Sequence, residues 1–594
     1  MRRDIVAATL GMGALVGVLT VHLLVASSAG GPVAVPDVPA YLSIAQWIGS
    51  DGLAPENLPF QPGFGLLLAP LVWVAQISEL STQGESVHYI ALVANSMAAT
   101  VAVAVAGWLG WRMSGRWWVC VAGAAIAAVH PSLSSASRIA WPETLLALAV
   151  LASAGAIARA HLAATTRSSQ RSWAVAGLIA TLAVALHARA VVLVVAVVVT
   201  AAVTRTGRRT WLGLAAGLLV GGGTAALALS LTGTWPIARL SEAAELDRGW
   251  QTVATVSGQL LALGGGTVGL GLVGLSIGMV AAMRLLRVRG APESPVAAVG
   301  VFVCAGALAV VLLGGWTLVG SDRVDTVLYG RYVDPWAVPL AVVALAWIST
   351  QRSRRHSHVL ITTTALALTA YAAVLGAPGM FDGEPRRIMT LSLSPAWALT
   401  DDRLGAVATA AVVLTLVGVL LAALALSRAN AGIGAQLPEG PGVAVLSTAG
   451  ACDEHSGRQR ARLLVGGTLV AAVLVLGTVS TVSNHRHLAD VGAIARDQVT
   501  AAAAIADIVG AGGLSCLAHD RARVPEYALW LYRMELPSIT HERVSLSSGE
   551  APCSAFVIAH DDLVERCTNA RHLVDEPAGA WALWYLPARE CIGA

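Results

Sequence analysis

Long apolar runs separated by short polar stretches fill the chain from residue 5 to residue 482. A helix needs about 20 apolar residues to cross the hydrocarbon core of a bilayer. Such runs fall near 5–27, 87–111, 117–134, 143–160, 173–187, 188–204, 210–231, 258–283, 296–318, 336–350, 358–375, 403–427 and 463–482, which predicts about 13 spans. The stretch 173–204 is too long for one span and is interrupted by His187 and Arg189, so it reads as two short spans joined by a turn. A further apolar run, PGFGLLLAPLVWVAQIS at 62–78, carries Pro62, Gly63, Gly65 and Pro70, which suit a bent helix. Beyond about residue 486 the pattern changes. A helix is expected over 488–510, a buried strand at 514–520, a helix over 525–535, and further strands at 554–562 and 581–587. Strands alternating with helices predict a small α/β domain over 486–594. The expectation is a polytopic α-helical membrane protein, 1–485, followed by that domain.

Composition agrees with this pattern. Of 594 residues 56% are apolar and 12% charged, against roughly 25% charged in soluble proteins. That excludes a soluble globular enzyme and a disordered chain. The net charge is +3, and all 38 basic residues are arginine. No basic domain exists, so nucleic acid is not a partner. The arginines set the orientation, because short cytoplasmic loops keep the positive residues. They cluster at Arg112/Arg116, Arg159/Arg167/Arg171, Arg205/Arg208/Arg209, Arg284/Arg287/Arg289 and Arg352/Arg354/Arg355, and in the loop 428–462. All of these, with Arg2 and Arg3, lie inside if 5–27 and 87–111 cross and 62–78 does not. So 62–78 is expected to lie in or dip into the outer interface as a juxtamembrane helix. The first span is read as an anchor rather than a signal peptide, and the C-terminal domain is placed outside. On this arrangement the near-neutral charge is a separation: arginine gathers inside and the acids outside. Cys516, Cys553, Cys567 and Cys591 all fall in the outside domain and read as two disulfides, with three connectivities open. His519–Asp520 and His560–Asp561 end two expected strands, where ligands bind in open α/β sheets, but the simpler reading is surface turns.

Few charges remain near the outer ends of the spans, and these are the candidates for chemistry. The first outside loop, 28–62, is long, and long loops usually carry function. It holds Asp37 at the head of a short helix with Tyr41 on its apolar face; helix capping is the plain alternative. The second outside loop, HPSLSSASRIAWPE, holds Arg138 and ends in Glu143, an acid at a helix start. Arg189, beside His187, lies at membrane depth, where a charge usually faces a cavity or a partner; Asp37, Glu143 or a phosphate would serve. Arg331 and Tyr332 stand just before the tenth span, with Arg323 upstream. Arginine suits bidentate phosphate binding, and an interfacial aromatic belt of Tyr329, Tyr332 and Trp336 is the alternative.

Taken in order, these pieces resemble the GT-C superfamily of membrane glycosyltransferases. They are Asp37 with Tyr41, the Pro62-Gly63-Phe64 juxtamembrane segment, Pro142-Glu143-Thr144, Arg189 after a short span, and Arg331-Tyr332 before a late one. The resemblance is nearest to actinobacterial cell-envelope mannosyl- and arabinosyltransferases, and it covers residues 1–340 best. It implies transfer of a sugar from a polyprenyl-phosphate donor to a glycan, glycolipid or protein acceptor at the outer leaflet, with inversion. Asp37 would be the general base, assisted by Glu143. Arg189, Arg331 and Arg138 would bind the donor phosphate, and Tyr41, Tyr332 and His187 would line the substrate groove. Many members pair acids in the first loop. Here Asp37 stands alone, with Asp51 and Glu56 further on, which weakens the case for a bound divalent metal, and no metal ligands are assigned. The rival classes are a transporter or lipid flippase and a non-enzymatic envelope assembly protein. Against the first stand the lack of an internal repeat and the near absence of charge at span centres.

Overall fold

Helices carry the apolar runs, and they break wherever proline, a polar pair or a glycine run interrupts the pattern. The computed structural model describes residues 2–31, 37–55, 60–80, 84–234, 249–288, 294–318, 324–350, 356–377, 387–400, 403–431, 448–511, 515–521, 524, 526–548, 550–560, 562–563, 567, 569–575 and 581–587. The helices are α1 Arg2–Ser27, α2 Asp37–Gly49, α3 Gly63–Ile77, α4 Gly84–Ser114, α5 Trp117–Val129, α6 Pro131–Ser134, α7 Glu143–His161, α8 Thr166–Leu186, α9 Val191–Val203 and α10 Arg208–Thr232. They continue as α11 Gly249–Gly266, α12 Leu270–Arg287, α13 Pro295–Thr317, α14 Asp334–Thr350, α15 His356–Leu375, α16 Ser394–Trp397, α17 Leu404–Ala431, α18 Thr448–Ala511 and α19 Glu526–Glu535. Among the described residues nine helices are long and apolar enough to cross a membrane, ten if the bent α5–α6 pair is one span. The chain is a multi-pass membrane protein. The other expected spans fall on the shorter apolar helices 188–203 and Asp334–Thr350 and inside α18.

The breaks have local causes. The expected span 117–134 is bent by 59° after α5, because Pro131 cannot continue the hydrogen-bond ladder and holds His130 extended. The break between α8 and α9 lies at His187, as the polar pair suggests. His187 is extended, and its Nδ1 accepts from the Arg189 N–H at 3.3 Å. The run 258–283, expected as one span, is two helices. Val268 and Gly269 take positive φ, 49° and 80°, and part α11 from α12. The segment 62–78 forms α3, 15 residues with Pro70 inside it, or about 22 Å, shorter than the roughly 30 Å core. Small residues let helices approach closely. Gly213, Gly217 and Gly221 of α10 meet the carbonyls of Gln170, Ala174 and Leu178 of α8 with no room for a Cβ.

Two expectations fail in the last third of the chain. The loop 428–462 is helical at both described ends, since α17 runs to Ala431 and α18 begins at Thr448. The separate span 463–482 and helix 488–510 are one helix of 64 residues, α18. Nothing in VSNHRHLADV, the junction between them, breaks a helix: it holds neither proline nor glycine. The C-terminal sheet has five strands: β1 Cys516–Asp520, β2 Thr540–Val544, β3 Phe556–His560, β4 Arg571–Asp575 and β5 Trp581–Tyr585. Their order is β2-β1-β3-β5-β4, with β1 parallel to β2 and β3, and β5 antiparallel to β3 and β4. The terminal strands β2 and β4 are polar, THERV and RHLVD, as sheet edges usually are, and they escape a search for apolar runs.

The sheet domain is not a free appendage. Helix α19 packs on α2: Gln46 Nε2 donates to the Met534 carbonyl at 2.8 Å, Leu53 N to that of Pro537 at 2.7 Å, and Arg533 Nη2 to that of Ala54 at 3.1 Å. Leu531 and Met534 share one apolar core with Tyr41, Phe64 and Leu92.

Candidate active site

Four charged residues from four separate segments meet where α2, α7, the α8–α9 break and the start of α14 converge. Asp37 is the first residue of α2. Glu143 is the first of α7, directly after Pro142. Arg189 sits in the 3-10 turn Ala188–Ala190, and Arg331 in the 3-10 turn Gly330–Tyr332. Arg331 Nη2 lies 2.7 Å from Asp37 Oδ2, and Arg331 Nε donates to Glu143 Oε1 at 2.5 Å. Arg189 Nη2 donates to the same Glu143 oxygen at 2.7 Å. The result is a continuous array, Asp37–Arg331–Glu143–Arg189, of two acids and two cations.

Burial differs along the array. Glu143 is 2% exposed and each arginine 5%, whereas Asp37 is 20% exposed. Asp37 is therefore the end of the array open to a ligand. Aromatic rings wall the cations: the Arg331 guanidinium lies 4.5 Å from the centre of the Trp141 ring, and that of Arg189 lies 4.6 Å from Tyr332. Tyr332 in turn meets Tyr329 edge-on at 4.9 Å. Several buried polar atoms here have no hydrogen-bond partner, among them Glu143 Oε2, Arg189 Nη1, Asp334 Oδ1 and the Tyr41 hydroxyl. Buried polar groups are rarely left unsatisfied, so the interior of the array is incompletely hydrogen-bonded as it stands. Burial, with Asp37 and Glu143 adding to it, holds the Tyr41 phenol well above its ordinary pKa, so it stays a neutral hydroxyl.

The structure brings together Asp37, Glu143, Arg189 and Arg331, with Tyr41 and Tyr332 against them and His187 shaping the Arg189 turn. Arg138 points elsewhere, donating to the carbonyl and hydroxyl of Ser28 at 2.9 and 3.2 Å. Asp51 is exposed, and Glu56 and Arg323 lie outside the described residues. Trp141 and Asp334 were not singled out by sequence. Each stands within three residues of an identified charge, Glu143 or Arg331, and that proximity was the available signal. Of the tail cysteines, Cys516 and Cys553 form a disulfide with Cα atoms 6.1 Å apart, Cys567 is also disulfide-bonded, and Cys591 lies outside the described residues. His519 and Asp520 are buried at 1% and 0% exposure, so they are not surface turn residues. The reason is the partner strand β2: His519 Nε2 lies 3.1 Å from His541 Nδ1. Asp561 lies outside the described residues. Among the described residues, the one convergence of three metal-type donors is Cys516, Glu542 and Cys553, where the two sulfurs are joined to each other.

Short helices at one end of a long bundle thus hold acids and arginines between them, in a fold that a solved membrane protein shares. The chain is similar in structure to ArnT from Cupriavidus metallidurans in the apo state, with a TM-score of 0.54 and 13% identity over 98% of this chain and 99% of that one. It is similar likewise to the same protein bound to undecaprenyl phosphate, with a TM-score of 0.50 and 12% identity over 98% of each chain. No protein-family profile and no curated protein sequence matches the chain.

Proposed function

We propose that this chain is a GT-C-type glycosyltransferase. It moves a sugar from a polyprenyl-phosphate donor to a glycan, glycolipid or protein of the cell envelope, at the outer face of the membrane. The observation that carries this reading is the buried array with Asp37 at its open end. The fold shared with ArnT, solved with undecaprenyl phosphate, supports a polyprenyl phosphate as the lipid part of the donor.

In this reading Asp37 takes the proton of the acceptor hydroxyl. The acceptor oxygen bonds to the anomeric carbon from one side as the carbon–oxygen bond to phosphate breaks on the other, which inverts that centre. The polyprenyl phosphate departs with the bonding electron pair. Arg331 and Arg189 face the charge that grows on the phosphate, the usual source of a large part of the rate. Glu143 positions both guanidiniums through one oxygen. Arg331 lies between the two halves of the reaction, since it touches Asp37 Oδ2 at 2.7 Å as well as Glu143. Helix α3 forms a wall of the lipid entry, and the sheet domain guides the acceptor.

The test is a lipid-linked sugar transfer assay with membranes that carry the wild type or Asp37→Asn. Transfer is expected to fall by about 10²–10⁴-fold, the range of general-base catalysis, with insertion unchanged. Full activity in the variant rejects the assignment. Arg331→Ala should raise the donor KM more than Arg159→Ala, and equal effects would reduce Arg331 to a structural role.

A further inference from the structure

Helix α7 carries Glu143 in its first turn and Arg159 in its last, about 24 Å further along the axis. At that far end α7 packs against α4 and α8, and the three helices bound a groove of about 410 Å³, within the range of small-molecule sites. Ala152, Gly155 and Ala156 keep the α7 side of the groove low. The Trp108 ring of α4 lies against Gly155, where a Cβ would stand 2.7 Å from it. Ser168, Arg171, Ser172 and Val175 line the α8 side at helical spacing.

The charge of the groove is of one sign. Arg159 and Arg171 both line it, both are exposed, and neither makes an ion pair among the described residues. Apart from Glu85 and Glu143, each in the first turn of its helix at the opposite end, α4, α7 and α8 hold no acid. Two guanidiniums without a carboxylate, beside the hydroxyls of Ser168 and Ser172, suit a phosphate. The rest of the groove is apolar and open at its side: Trp108 is 37% and Val175 46% exposed. Two turns nearer the bilayer centre, Val101 of α4 and Leu182 of α8 continue that surface at 49% and 36%. A free phosphate would use only the arginines, whereas a lipid uses both parts. A zwitterionic headgroup would bring its own cation against two guanidiniums, so a net anionic one fits better. The groove opens on the arginine-rich side, the cytoplasmic side by the positive-inside rule, where basic pockets between membrane helices take anionic headgroups.

We infer that this groove binds an anionic phospholipid of the arginine-rich leaflet, its phosphate on Arg159 and Arg171 and an acyl chain along Trp108 and Val175. The site stands apart from the transferase reading and is tested by binding, without turnover. The experiment uses the full chain in nanodiscs that hold phosphatidylglycerol and phosphatidylcholine of identical acyl chains, and native mass spectrometry reads the retained lipid. Phosphatidylglycerol is expected to be retained in preference. The double variant Arg159→Gln/Arg171→Gln is expected to lower its occupancy about 10-fold or more. Arg284→Gln/Arg287→Gln removes an exposed pair of α12 that lies outside the groove, and should leave occupancy near the wild type. Ala156→Phe narrows the apolar part without changing a charge and should also lower it. Millimolar inorganic phosphate should not displace the lipid. Equal retention of the two lipids overturns the inference. So does an equal loss in both arginine double variants, which would mean diffuse attraction to the membrane surface, or displacement by free phosphate.

Discussion

Glu143 holds the balance of the site, because one of its oxygens serves both Arg189 and Arg331. Removing one partner of a buried ion pair costs about 3–5 kcal/mol, since the remaining charge is stranded. Glu143→Ala strands Arg189 and leaves Arg331 with Asp37 alone. A drop in the thermal unfolding midpoint by that measure is expected in detergent, with a smaller drop for Glu143→Gln, whose amide oxygen still accepts. Asp37→Asn should leave the midpoint near the wild type, because Asp37 is the exposed member. The same midpoint for Glu143→Ala and wild type would mean that the array carries no folding energy. All four charges were legible in the sequence as outside residues near the membrane. Their pairing was not, because Glu143 bonds to residues 46 and 188 positions away, and no local pattern reports such a contact. For the same reason Arg138 looked equivalent to Arg189 in sequence, although it bonds to the end of α1.

At the level of elements, the sequence marked the break at His187, whereas the bend at Pro131 fell inside the expected span 117–134 and Pro70 lies within the unbroken helix α3. It missed the break at Val268 and Gly269, because a β-branched residue with positive φ leaves no signature in an apolar run. It also missed the edge strands, which lack apolar character. One expectation at this scale is directly measurable. The Cys516–Cys553 bond closes 37 residues, worth about 4 kcal/mol in the chain-entropy account. Cys516→Ser is expected to destabilise the sheet domain by that order, seen as protease cleavage of the domain at lower urea than in the wild type. Unchanged resistance would show that the sheet core alone holds the domain.

For the molecule as a whole, the docking of the sheet domain on the bundle carries a pH dependence. Burial, with Glu85 adding to it, pushes the Glu535 carboxyl from 4.5 up to about 7, and its Oε1 has no hydrogen-bond partner. Glu535 lies against Gly84 at the start of α4. An acid whose folded pKa is raised stabilises fully below about 4.5 and loses that contribution as pH rises through about 7. The unfolding midpoint should therefore fall between pH 5 and pH 8, and Glu535→Gln should flatten that fall; an unchanged profile removes Glu535 as its cause. The docking itself was hidden from the sequence, where the domain read as a separate tail. A last consequence follows from α18. Its 64 residues make a rod of about 96 Å, joined at its end to a domain that α19 also fastens to α2. The chain thus closes a mechanical ring, and the rotational phase of the rod becomes a structural parameter. One alanine inserted after Thr500 turns everything beyond it by about 100°, whereas four inserted residues come within about 40° of the original phase. The single insertion should therefore loosen the domain from α2 more than the fourfold one, as hydrogen exchange at Leu53 N would show.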